Sequence, residues 1–269
     1  MTVPWSGAMD LHVEGVRKTY GRGSAAREVL TETSVTVRSQ QFVSIVGPSG
    51  CGKSTLLMMM AGLLRPSGGQ VRLGDRVVDG PPIGLSVVFQ DYSRSLFPWM
   101  TVRRNLAMAA AAYKLPKAEL RHRVEHALES VGLPGSADMY PWQMSGGMQQ
   151  RVAIARALVV EPTVMLMDEP FAAVDAQTRA DLEDLVLRVR HEYKVTVAFV
   201  THDIDEAVYM GDRIIVMAAG PGRVLAELDV DLPRPRDQVE TKRDPQFAEL
   251  RSEVFRLVMR PGGVKTAVG

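Results

Sequence analysis

Val43-Ser44-Ile45-Val46-Gly47-Pro48-Ser49-Gly50-Cys51-Gly52-Lys53-Ser54-Thr55 is the stretch that decides the fold. Its first residues close a strand that runs from Phe42 to Val46. Gly47 to Ser54 then fits G-x-x-x-x-G-K-[ST], and a helical pattern from Lys53 to Leu64 follows. Strand, glycine-rich turn and helix form the context that this pattern requires. The glycines let successive backbone N–H groups turn inward around phosphate oxygens. The helix presents the positive end of its dipole to the same anion. Lys53 is placed to reach the β- and γ-phosphates, and the Ser54 hydroxyl to bind Mg²⁺. Gly47, Pro48, Ser49, Gly50, Cys51, Gly52, Lys53, Ser54 and Thr55 are the expected cradle. Cys51 has two readings: a small residue tolerated in the loop, or a thiol that bulky reagents reach, blocking the nucleotide.

Outward from this loop, residues 11–46 read as strands, with short β-branched runs such as Val35 to Val37. The helix after the loop is expected to stop at Arg65-Pro66-Ser67-Gly68-Gly69. Further strand signals lie at Val87 to Phe89, Val164 to Met167, Val195 to Val200 and Ile214 to Met217, with helices from Ala176 to Tyr193 and from Asp203. Strands alternating with helices predict an α/β domain with a mostly parallel sheet. Between Val102 and about Leu158 the residues are rich in Ala, Leu, Glu and Arg at helical spacing, which predicts an inserted helical lobe, about residues 91–160. After Asp231 comes Leu-Pro-Arg-Pro-Arg-Asp, a rigid connector whose Arg234 and Arg236 read as solvated surface. The last helix carries Phe247, Leu250, Val254, Leu257 and Val258 on one face. That face docks on the core or on a partner.

Composition sets bounds. The 269 residues suffice for a substantial core without staples, and 46% hydrophobic with 23% charged residues is ordinary for a globular chain. A net charge of +1 gives no global electrostatic case for nucleic acid, and none is expected as a partner. Cys51 is the single cysteine, so no internal disulfide forms, which fits a reducing compartment. Met1 to Asp10 lacks a basic region followed by an apolar run, so no signal peptide is expected. No apolar run approaches the roughly 18–20 residues that cross a bilayer. A membrane role therefore has to come through a partner. His122 and His126, four apart on a predicted helix, read as a solvated face, since no acid or cysteine completes a metal set.

A second chemical element is Val164-Met-Leu-Met-Asp168-Glu169-Pro170. An apolar strand delivers Asp168 to its C-terminal edge, where ligand sites of α/β sheets form. Asp168 suits Mg²⁺, usually through water. Glu169 is placed to polarise an attacking water as general base. The third element is Met144-Ser145-Gly146-Gly147-Met148-Gln149-Gln150-Arg151. Ser145-Gly146-Gly147 opens a helix running to about Leu158, and its N–H groups and dipole form a second anion site.

With these three elements the chain resembles the nucleotide-binding subunit of an ABC transporter, over about residues 10–232, with residues 233–269 as a C-terminal connector and helix. The third element resembles the family's signature, usually LSGGQ or LSGGMQQR, with Met144 in place of Leu. The resemblance implies a P-loop NTPase-type α/β fold: a mostly parallel sheet, an antiparallel β subdomain and the helical lobe. It implies ATP and Mg²⁺ as cofactors, and a head-to-tail dimer in which Ser145, Gly146 and Gly147 contact the ATP held by the other copy's P-loop. Gln90 resembles the Q-loop glutamine that senses Mg²⁺ and the γ-phosphate. His202 resembles the switch histidine. Catalysis would rest on Glu169, His202, Gln90 and Lys53, and the metal on Ser54, Gln90 and Asp168. Tyr20 resembles the aromatic that stacks on adenine, though a tyrosine closing a strand is commonly just packing. Asp175, in Ala173-Val174-Asp175, resembles the D-loop acid that crosses the dimer interface. Gln40-Gln41 stands where the family commonly has Gly-Glu, and Gly220 where one importer branch often has Arg.

Within the family, Phe89-Gln-Asp-Tyr-Ser-Arg-Ser-Leu-Phe-Pro-Trp99-Met-Thr-Val, Phe171 to Arg179, Thr201 to Val208 and Asp231 to Asp237 resemble the nitrate/sulfonate/taurine importer branch. An ATPase that drives uptake of a small solute through a separate permease, supplied by a solute-binding protein, is implied. Its place would be peripheral, on the cytoplasmic face of the membrane. An exporter cassette and a non-transport ABC ATPase are the alternatives. Leu96, Phe97, Pro98 and Trp99 form an expected exposed apolar cluster, read as a permease contact or as lobe packing. The solute itself is not legible in these residues.

Overall fold

The computed structural model describes residues 9–21, 23–91 and 95–259; Tyr92, Ser93 and Arg94 of the Pro-Trp segment, and the tail from residue 260, lie outside them. In chain order the elements are β1 (Leu11–Tyr20), β2 (Arg27–Val37), β3 (Phe42–Val46), α1 (Lys53–Met60), β4 (Gly68–Leu73), β5 (Arg76–Val77), β6 (Leu85–Val88), α2 (Val102–Ala109), α3 (Lys117–Ser130), α4 (Gly146–Leu158), β7 (Val164–Asp168), α5 (Ala176–Tyr193), β8 (Thr196–Val200), α6 (Ile204–Met210), β9 (Arg213–Ala218), β10 (Arg223–Asp229), α7 (Glu240–Arg243) and α8 (Pro245–Met259). The described chain divides into two compact units, one of residues 9–81 and 197–259 and the other of residues 82–196.

The first unit holds the P-loop. β3 runs parallel to β8 on one side and to β9 on the other, and β10 closes the β9 edge antiparallel. Every residue of β3 and β8 is buried, as expected of strands covered on both faces. Phe42 and Phe199 meet across that pairing with ring centroids 5.7 Å apart. A separate antiparallel sheet runs in the order β2-β1-β4-β5. The helix after the P-loop is shorter than the sequence suggests. It ends at Met60 rather than Leu64, because Gly62 adopts φ 69°, where Leu63 and Leu64 N–H both turn back to the Met58 carbonyl. The glycine stops the helix before Arg65-Pro66 can.

The tail belongs to this unit. α8 lies against α6 and β9, with Phe247, Val254 and Leu257 buried and Arg251 paired to Asp205 at 2.9 Å. The apolar face therefore docks on the core. Arg234 is exposed, as expected of a solvated surface, whereas Arg236 is half-buried and corrects that expectation. Arg236 donates to the Tyr209 and Gly211 carbonyls, at 3.0 and 3.1 Å, and Arg234 pairs with Asp212. The last carbonyls of a helix lack intrahelical partners, and cations suit that end of the dipole, so this connector caps α6.

In the second unit β6 and β7 pair in parallel, Leu85 opposite Val164 through Val88 opposite Met167. The lobe helices gather on α4, which contacts α2, α3 and β6. His126 Nδ1 sits 2.8 Å from the Tyr193 hydroxyl, and His122 stacks on His126. His126 thus serves the α3–α5 contact, and both histidines are exposed, as a solvated helix face requires.

Candidate nucleotide-binding site

β3 ends at Val46, and the loop that follows is shaped by its own polar groups. Lys53 is only 5% exposed; its ammonium donates to the Gly47 carbonyl at 2.8 Å and the Pro48 carbonyl at 3.2 Å. The cation is thus held at the loop's mouth by weak neutral acceptors, which an incoming phosphate outcompetes. α1 begins at Gly52 (φ 97°) with no side-chain cap and no acid in its first turn. The helix N-terminus and the lysine together fit a polyphosphate. Ser54 is exposed on that turn and Thr55 half-buried.

Cys51 is fully buried, and burial pushes its thiol pKa up. Gly222 explains the enclosure: it passes so close that any Cβ there would stand 1.9 Å from the Cys51 carbonyl. Leu30 bridges to Gly222 as well, so the Gly220-Pro221-Gly222 turn lies over the P-loop. A thiol reachable by bulky reagents is therefore not what the fold provides.

His202 follows β8 and is exposed, on a backbone fixed by its neighbours. The buried Thr201 hydroxyl donates to Glu206 at 2.6 Å and accepts from Asp203 N–H at 3.0 Å. Asp203 caps α6 through Asp205 and Glu206 N–H. Within Thr201 to Val208 the Thr201–Glu206 pair was missed in the sequence. Its signal is a threonine and an acid flanking the histidine, five residues apart.

In the second unit Asp168 is the last residue of β7 and is nearly buried. Glu169, half-buried, stands at φ 43°, a region costly for residues with a Cβ and frequent at functional turns. Gln90 lies two residues beyond β6, which ends at Val88 rather than Phe89. Ser145 caps α4, its hydroxyl accepting from Met148 N–H at 3.3 Å. One donor of the expected second anion site is therefore already used within the chain. Gly146 and Gly147 form the first turn, and a Cβ on Gly147 would stand 2.8 Å from Thr178 of α5.

Residues 30–172 match the family model for the ABC transporter. The chain belongs to the ABC transporter family. The cassette is 43% identical to the aliphatic sulfonates import ATP-binding protein SsuB of Bacillus licheniformis, over 92% of this chain and 94% of that one. It is 43% identical to the nitrate import ATP-binding protein NrtC of Synechococcus elongatus, over 86% of this chain and 35% of that longer one. Among solved structures, a dimeric ATP-binding cassette in a post-hydrolysis state with ADP and Pi superposes with a TM-score of 0.72 at 33% identity, covering 82% of this chain and 98% of that one.

Several residues of the cassette take definite places. Tyr20 closes β1 with its ring exposed and Lys18 Nζ 5.2 Å from the centroid. Asp175 caps α5, accepting from Gln177 and Thr178 N–H and from the Thr178 hydroxyl, which holds its carboxyl below the ordinary range. The expected apolar cluster is divided: Leu96 is 2% exposed and belongs to the core, while Trp99 is 68% exposed and rests on Phe97. Asn105, missed in the sequence, builds that loop. Its side chain accepts from Phe97 N–H and donates to the Phe97, Met100 and Thr101 carbonyls. No helix among the described residues is long and apolar enough to cross a membrane.

Proposed function

We propose that this cassette is the ATP-hydrolysing subunit of an importer, driving uptake of a small solute of the nitrate/sulfonate/taurine kind through a separate permease. One observation carries the reading. The same chain holds two glycine-rich helix starts, one uncapped with a buried lysine at Gly47–Lys53 and one capped by Ser145. Each is half of a nucleotide site. A two-fold pairing of cassettes completes both halves at once.

In this reading Gly47 to Thr55 hold the phosphates, Lys53 turns from the loop carbonyls to the γ-phosphate, and Tyr20 offers its exposed face to adenine. Ser54, Asp168 and Gln90 would hold Mg²⁺, whose charge would offset that developing on the phosphates. The set offers carboxylate, hydroxyl and amide oxygens, the donors that this hard cation prefers. Glu169 takes the proton of the attacking water, and His202 contacts the γ-phosphate. Ser145, Gly146 and Gly147 close on the ATP of the second copy, and Asp175 approaches that interface. ATP binding closes the dimer and hydrolysis reopens it, which moves the permease between its two states. Trp99 and Phe97 suit the permease contact, and in this reading the cassette works at the cytoplasmic face of the membrane. A solute-binding protein acts on the permease.

Glu169→Gln is the test. It should bind ATP, form a stable dimer and lose turnover by about a hundredfold or more, measured as phosphate release alongside size-exclusion chromatography with ATP. A variant that turns over at the wild-type rate would remove Glu169 as base.

A further inference from the structure

Four side chains of α4 reach out to other segments of its unit. Gln149 donates to the Pro141 and Met144 carbonyls, at 3.0 and 3.1 Å, and so fixes the segment leading into Ser145. Arg151 donates to the Val131 carbonyl, just past α3, at 2.8 Å. Arg156 donates to the Ser95 carbonyl. Between them, Gln150 donates through Nε2 to the Pro170 carbonyl at 2.7 Å. That carbonyl belongs to the residue after Glu169, whose backbone is held at φ 43°.

Gln150 is an unusual choice at this position. It is fully buried in α4, and its Oε1 has no hydrogen-bond partner among the described residues. A buried amide with one unsatisfied oxygen costs free energy that an apolar residue of equal length would avoid. The amide offers the fold only one thing in return, a donor aimed at the turn that carries Glu169. The helix it sits on begins at Ser145, five residues earlier, so Ser145 and Gln150 share one rigid element.

We infer that Gln150 is a positioning residue for Glu169, tying the orientation of the catalytic carboxylate to the position of the signature helix. When the second copy's ATP seats on Ser145 to Gly147, α4 is fixed, and Gln150 carries that constraint to the Pro170 carbonyl and so to Glu169. The inference rests on the reading of Glu169 as base.

The test uses the full chain. Gln150→Met keeps the length and removes the donor; Gln150→Glu keeps the size and replaces the donor by an acceptor. Each should lower kcat about tenfold or more, leave KM for ATP within about twofold, and still allow ATP-driven dimers when combined with Glu169→Gln. The two changes should also be non-additive: Gln150→Met should not lower the residual rate of Glu169→Gln further, because both act through one group. An unchanged kcat in folded Gln150→Met overturns the inference. So does a rise in KM at constant kcat, loss of dimerisation in the double variant, additive loss of rate, or failure of both variants to fold, which would make Gln150 purely structural. If Glu169→Gln alone turns over normally, the reading of Glu169 fails, and that result is distinct from any outcome at Gln150.

Discussion

Two glycine-rich helix starts in this chain solve the same electrostatic problem in opposite ways. α1 opens at Gly52 with no side-chain cap, and a buried lysine rests on the loop's own carbonyls. α4 opens at Ser145, whose hydroxyl takes a first-turn donor, and Gln149, Gln150 and Arg151 anchor it along its length. An uncapped helix start leaves strong donors to be satisfied from outside. A capped one is stable alone. In the proposed reading, the P-loop takes its anion by itself, whereas the signature helix, with one first-turn donor already taken by Ser145, meets the anion that a second copy brings.

The contrast is broken most directly at Lys53. Lys53→Ala should cost ATP hydrolysis roughly a thousandfold, since it removes the cation at the phosphates, and equilibrium binding of ATP to the monomer should weaken with it. Normal binding would mean that α1 and its loop suffice alone. Ser145→Ala should act differently. Loss of the cap costs about 1 kcal/mol of stability, readable as a modest fall in Tm. Hydrolysis should drop by roughly a hundredfold while ATP binding to the monomer is unchanged. A loss of monomer binding at Ser145 would erase the distinction between the two helix starts.

Cys51 sharpens the comparison from inside the P-loop. Buried beneath the Gly222 turn, its thiol should react with N-ethylmaleimide more than about tenfold slower than free cysteine, because the thiolate is the reactive form and burial disfavours it. Stopped alkylation in native and denaturing buffer measures this. The sign for stability follows from a pKa that is raised on folding. The contribution is complete below the ordinary thiol value and is lost as pH rises from there through the raised value of the folded thiol. The smallest expected effect lies in the turn before β3. Gln40 stands at φ 57°, where the family's glycine would sit without strain. Gln40→Gly should raise stability by about 0.5–1 kcal/mol, seen as a small rise in Tm with unchanged ATPase activity.

Legibility in the sequence followed the range of the interactions. The Phe42–Val46 strand, the Ala176–Tyr193 helix and the Ser145 helix start were readable because apolar period, caps and glycines act over a few residues. The early stop at Gly62 was missed because Arg65-Pro66 offered a stronger breaker three residues on. Leu96 and Trp99 looked alike in the sequence and part company only in the packed lobe, where Asn105 ties the loop around them. Arg236 reads as surface because charged residues beside prolines normally are. Its partners, the carbonyls at the end of α6, lie more than twenty residues away.

By itself the sequence determined the P-loop, the Asp168-Glu169 pair, the signature and hence the family, because each is a contiguous string whose chemistry is local. Only the tertiary structure decided which groups are closed off and which are tied together: Cys51 under Gly222, α6 capped by Arg236, and Gln150 holding the Pro170 carbonyl. Burial and hydrogen bonding between distant segments depend on how the chain returns on itself, and no short-range pattern encodes that return.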